Sequence, residues 1–122
     1  MQFVIDHAAK PPFGELNTEN WALWKRELAA VARYDNVSCK ISGLVSETGG
    51  VTWPAQAFVP CVEHVLEVFG ESRVLFGSDW PVCLLEATYD EVVHLAELLC
   101  EPMSLSARER FFGGNAQTIY QL

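Results

Sequence analysis

Several common signatures are missing from this sequence, and each absence removes a class of function. Its four cysteines stand at 39, 61, 83 and 100, with no C-x-x-C pair and no spacing that suits a zinc cage. There is no G-x-S-x-G nucleophile elbow, and neither a P-loop nor a G-x-G-x-x-G phosphate cradle. Only three histidines occur, and no two form H-x-H. No run of about 18 apolar residues exists, so no membrane-spanning helix is expected. The start, "MQFVID", has neither a basic region nor a long apolar stretch of the kind that marks a leader. Basic residues are few: 8 Lys and Arg stand against 16 Asp and Glu, a net charge of -8. An acidic surface repels nucleic acid and anionic lipid, so neither is an expected partner.

What is present is ample core material. Of 122 residues, 50% are hydrophobic, which excludes a disordered chain and predicts a single domain over 1–122. In so apolar a chain the cysteines read as small buried hydrophobes of a reducing compartment, and a cytoplasmic location follows as the expectation.

Three short β-prone runs alternate with helical patterns. "QFVIDH" is stopped by "KPPFGELN", with two prolines and a glycine. "TENWALWKRELAAVARY" places Trp21, Trp24, Leu28, Val31 and Ala32 at helical spacing, with Asn17 or Thr18 as cap and Glu19 in the positive first turn. "NVSCKISGL" is a second strand ended by Gly43, and "VSETGGVTW" is a loop. "PAQAFVPCVEHVLEVFG" is a second helix between Pro54 and Gly70, bent or divided at Pro60. "RVLFGSD" is the third strand and "TYDEVVHLAELLC" the third helix. "SLSARERFFGGNAQTIYQL" reads as a final helical stretch capped at Ser104 or Ser106 and interrupted at Gly113-Gly114. Strands recurring about every 35 residues with helices between them predict an α/β fold with a parallel sheet and right-handed crossovers.

In a parallel sheet the carboxyl ends of all strands share one rim, and sites collect there. Asp79, ending "VLFGSD", is either a turn-forming aspartate or an acid-base group. His7 continues the first strand on the face of Phe3 and Ile5, as a core histidine or a functional one. The two lie two strands apart, roughly 10 Å, unless their side chains converge. Lys40 and Ser42 share one face of the second strand; for the lysine a structural ion pair is the favoured reading. Trp80 is a pocket lid or ordinary packing, with packing favoured. Lys10 meets either an anionic substrate or solvent. His64 and His94, with acidic neighbours inside helical patterns, read as surface residues.

"VIDHAAKP", "NVSCKISGL", "RVLFGSDWPVC" and "FFGGNAQTIYQL", in this order, resemble the C-terminal half of the amidohydrolase-related family, on the branch of the sugar lactonases and 2-pyrone-4,6-dicarboxylate lactonases. The resemblance implies the last part of a (β/α)₈ barrel: "VIDH" as strand six, "CKISG" as strand seven and "VLFGSD" as strand eight. The family's hydrolytic aspartate falls on Asp79 and its strand-six histidine on His7. The implied activity is hydrolysis of a small lactone, with Asp79 as general base and His7 binding the substrate carbonyl or touching a metal. Trp80, Lys40, Ser42 and Lys10 are weaker substrate-binding candidates. The implied cofactor is either none or one divalent metal such as zinc, with His7 and Asp79 as its ligands if one is used. The family's H-x-H strand is absent, and a complete barrel takes about 250 residues. The chain is therefore expected to be a partial domain with little activity alone, paired with its missing N-terminal half or with a second copy. The alternative is an inactive fragment that serves as an assembly module.

Overall fold

The computed structural model describes residues 1–13, 18–48 and 54–122. Three parallel strands, β1 (Phe3–Ile5), β2 (Val37–Ile41) and β3 (Val74–Phe76), form one sheet in that order. Phe3 is in register with Val37, and Cys39 with Val74. The expected α/β arrangement is met, since each connection carries a helix: α1 (Thr18–Ala32) after β1 and α2 (Val59–Phe69) after β2. α3 (Tyr89–Leu99), α4 (Leu105–Glu109) and α5 (Asn115–Ile119) follow β3.

Strand alternation decides what the sheet buries. Val37, Cys39 and Ile41 point to one face and join Trp24, Leu28 and Ala32 of α1 and Cys61, Val62, Val65 and Phe69 of α2 in one apolar cluster. Each large side chain taken fully out of water there contributes about 1.5–3 kcal/mol. Phe13 stacks edge-on against both Trp21 and Phe58, which closes the cluster above α1. All four cysteines are free and buried, as their reading as small hydrophobes requires.

Local chemistry sets the boundaries. Thr88 accepts from the Glu91 N–H while the Glu91 carboxylate accepts from the Thr88 N–H, a reciprocal cap that starts α3. Ser104 caps α4 through the Ala107 N–H. Pro60 divides its segment: Ala55–Phe58 is a 3₁₀ turn, and the α-helix begins at Val59 with the proline in its first turn, where a missing N–H costs nothing. Thr18 is the first residue of α1, and Asn17 lies outside the described residues.

Three expectations are corrected. The first strand ends at Ile5, so His7 is not on it. Gly113-Gly114 do not interrupt the last helix. They lie in a π-turn, Arg110–Gly114, that joins α4 to α5, with Gly114 at helical angles (φ -59, ψ -43). Tertiary contacts override the weak helix propensity of glycine there. Phe111 and Phe112 pack on Phe76, and the buried Asn115 amide donates to the carbonyls of Glu71 (2.6 Å) and Val74 (2.8 Å). His64 is buried rather than on the surface. Its ring lies 5.4 Å from Trp24, and Nε2 bonds the Lys25 carbonyl at 2.9 Å. The apolar face of α2 carries it inward, a burial that acidic neighbours in sequence do not reveal.

Arg73 ties the layers at the opposite rim. Its guanidinium donates to the carbonyls of Phe69, Tyr34, Val37 and Ala32, which satisfies carbonyls at the ends of α1 and α2.

Candidate active site

The site stands on two stretches of left-handed backbone. After β1 the chain makes a turn in which His7, Ala8, Ala9 and Lys10 all have positive φ (54, 48, 58 and 56°). For residues with a Cβ this costs about 1–2 kcal/mol each, so surrounding contacts must impose it. They do: the Lys10 N–H returns to the His7 carbonyl, the Trp24 indole N–H donates to the Ala8 carbonyl at 2.8 Å, and Ala8 is fully buried. The turn swings the His7 ring from the end of β1 across the end of β2. Beyond β3, Asp79 also has positive φ (60°), a conformation that aspartate tolerates better than most residues.

These two turns bring together what the strand spacing alone kept apart. His7 Nε2 lies 3.7 Å from Asp79 Oδ1. That is past hydrogen-bond length, so each group keeps its capacity for a third molecule. The Ser46 hydroxyl approaches Asp79 Oδ2 at 3.5 Å. Ser42 holds the other edge of the imidazole: its Oγ accepts the His7 backbone N–H at 3.2 Å and lies 2.9 Å from Nδ1.

Two glycines make the approach possible. A Cβ on Gly43, whose φ is +64°, would stand 2.7 Å from His7 Nδ1. A Cβ on Gly77 would stand 2.7 Å from Lys40 Cδ and 3.1 Å from Ser42 Cβ. The two 2.7 Å contacts are shorter than real Cβ atoms accept.

The remaining candidates are placed differently. Lys40 Nζ pairs with Asp6 Oδ1 at 2.8 Å, the structural ion pair favoured from sequence. Its hydrogen bond to Asp6 is the main cause that raises the Lys40 pKa, against desolvation, and the same bond lowers that of Asp6. Ser42 is 4% exposed and turned to His7 rather than to open space. Trp80 is 62% exposed, which corrects its reading as packing; its backbone N–H donates to the Ser78 hydroxyl. Lys10 is exposed on the rim turn. His94, on the surface as expected, lies 3.8 Å from Glu97. Sequence reasoning missed Gly43, Ser46 and the partnership of Ser42 with His7. The only trace of these was a small-polar-glycine step directly after a strand.

The family model described as amidohydrolase matches residues 1–122. The chain belongs to the amidohydrolase family. Among curated relatives, this amidohydrolase chain is 40% identical to an L-fucono-1,5-lactonase of Burkholderia multivorans, over 98% of its own length and 43% of the relative's. It is also 40% identical to an L-fucono-1,5-lactonase of Burkholderia ambifaria, over 100% and 42%. Among solved structures, an amidohydrolase from Burkholderia multivorans with bound zinc superposes with a TM-score of 0.92 at 40% identity, covering 99% of this chain and 44% of that one. The chain thus spans less than half the length of the relatives that it matches.

Metal occupancy in that relative raises the question of which donors this amidohydrolase chain offers. A catalytic zinc takes three protein ligands and a water. His7 and Asp79 make two, and among the described residues no group of three His, Cys, Asp or Glu converges. The described residues do not by themselves make up such a set.

Proposed function

We propose that this chain carries the His7–Asp79 side of a lactone-hydrolase site, in a protein that opens a small sugar-derived or dicarboxylate lactone. The observation that supports it most is the convergence of His7 and Asp79 to 3.7 Å on one rim, each free to contact a third molecule. The reading takes the three strands as strands six to eight of a (β/α)₈ barrel. It also draws on the lactonase names of two relatives at 40% identity.

The chemistry follows from the geometry. The Asp79 carboxylate removes a proton from water as the oxygen attacks the lactone carbonyl carbon. His7, on the other side of the gap, hydrogen-bonds the carbonyl oxygen as it gains negative charge. When the tetrahedral species collapses, the ring C–O bond breaks and the proton held by Asp79 passes to the leaving alkoxide. One lactone and one water give one hydroxy acid, and Asp79 returns to its starting state. The Asp6–Lys40 pair and Lys10 sit on the same rim as candidate contacts for a polar or anionic substituent.

With fewer than half of the residues of its relatives, the chain alone is expected to turn over lactone slowly or not at all. The test is a graft. Residues 1–122 replace the matching segment of the Burkholderia multivorans L-fucono-1,5-lactonase, and lactone opening is followed by acid release. The graft is expected to be active, and Asp79→Asn within it to lower kcat about 100- to 10,000-fold. A folded graft without activity, or activity indifferent to Asp79→Asn, refutes the reading.

A second reading, that of an assembly module, draws on the sheet order, in which β1 and β3 are outermost. Such edges pair readily with other strands. A stable species of twice the 13.6 kDa chain mass in size-exclusion chromatography supports it, and a stable monomer counts against it.

A further inference from the structure

We infer that Ser42 is a positioning residue that fixes the tautomer of His7, leaving the ring proton on Nε2 and aiming it at Asp79 and whatever binds between them. The inference rests on counting donors. The Ser42 Oγ accepts the His7 backbone N–H at 3.2 Å. It also lies 2.9 Å from His7 Nδ1. Ser42 is 4% exposed, and among the described residues its hydroxyl proton has no other acceptor. Were Nδ1 to carry the ring proton, Ser42 would accept twice and bury an unused O–H, a costly arrangement. With the hydroxyl donating to Nδ1, the serine is satisfied: the backbone N–H enters Oγ, the O–H leaves it, and the neutral ring carries its proton on Nε2, open to a third molecule.

Nε2 is the atom 3.7 Å from Asp79 Oδ1. A proton there makes His7 a hydrogen-bond donor facing the carboxylate, which suits it to hold a carbonyl oxygen. It equally removes the Nε2 lone pair that a metal ion would need. Gly43 belongs to the same device, since a Cβ there would stand 2.7 Å from His7 Nδ1 and displace the ring. The serine sets the direction of the bond by accepting from the backbone of the residue whose side chain it serves. A backbone N–H cannot change role, so the hydroxyl rotor is left one way to point.

The bond is a property of the chain as it stands; its role in holding a carbonyl rests on the lactone-hydrolase reading. The test is long-range ¹H–¹⁵N NMR of the imidazoles in the wild-type chain at alkaline pH. His7 is assigned by His7→Gln. Nδ1 of His7 is expected to show the shift of an unprotonated, hydrogen-bond-accepting nitrogen, and Nε2 that of a protonated one. Ser42→Ala is expected to move Nδ1 toward the value of the exposed His94, and Ser42→Thr, which keeps the hydroxyl, to restore it. A proton on Nδ1 in the wild type overturns the inference. So does an Nδ1 signal unchanged in a folded Ser42→Ala chain. Failure of the lactonase reading would show separately, as an inactive graft with the His7 tautomer intact.

Discussion

Alanine at Gly43 should damage the site more than the fold, and the damage can be worked from the structure. Gly43 has φ +64°, so any side chain there incurs left-handed strain of about 1–2 kcal/mol. The new Cβ would also meet His7 at Nδ1 (2.7 Å), Cγ (3.0 Å) and Cε1 (3.2 Å), all on the ring edge that bonds Ser42. The ring must swing away, and losing its bond to Ser42 adds about 0.5–1.5 kcal/mol. The sum is about 1.5–3.5 kcal/mol, a Tm decrease of roughly 10 °C in a domain of this size. Gly70→Ala is the control. It too has positive φ (76°), but a Cβ there meets nothing within 4 Å, so it brings strain without a clash. Unfolding in urea measures both costs, and the imidazole resonances separate their causes. The His7 signals should move in Gly43→Ala and stay in place in Gly70→Ala. Unmoved His7 signals in a folded Gly43→Ala chain would refute the argument that this glycine exists to admit the ring.

Other consequences are open to simple measurement. Arg73→Ala removes the guanidinium from four carbonyls, of which that of Tyr34 keeps the Val37 N–H, and should destabilise the chain by about 2–3 kcal/mol, read from the urea midpoint. The Asp6–Lys40 pair has a lowered Asp6 and a raised Lys40 pKa. Its contribution should hold across neutral pH. It should fade as pH falls below the ordinary Asp6 value of 3.8, and again as pH rises above the ordinary Lys40 value of 10.5. Lys40→Met should flatten the stability profile in both windows, whereas an unchanged profile would mean that the pair is idle. Burial pushes the Cys39 thiol up to about 12 and raises Cys61 as well, so a thiol reagent at pH 8 should label neither in the folded chain and both in urea. Rapid labelling without denaturant would contradict the packing around α2.

Much of the fold was legible because its signals are local. Helical spacing of Trp24, Leu28 and Ala32 and the division of the second helical segment at Pro60 each act within a few residues, and the structure keeps them. The errors have the opposite character. His64 is inside because α2 turns its ring to Trp24, a residue 40 positions away that no nearby sequence announces. The helix runs through Gly113-Gly114 because Phe111 and Asn115 are anchored on β3, which outweighs glycine propensity. At the site, strand order put His7 and Asp79 on one rim, but strand spacing left them roughly 10 Å apart, too far to meet unless their side chains converge. Convergence comes from the left-handed turn His7–Lys10, an improbable backbone for these residues that is imposed by the Trp24 indole and by Ser42. Strain of this kind has no sequence pattern when glycine is not used.

Asp79 and His7 of this chain are proposed as a working pair for lactone opening. The measurement that bears on it most directly is the initial rate of acid release from L-fucono-1,5-lactone by the grafted enzyme, with and without Asp79→Asn. Measurable turnover is expected, falling about 100- to 10,000-fold on Asp79→Asn while the fold persists. Equal rates with and without the substitution would contradict it.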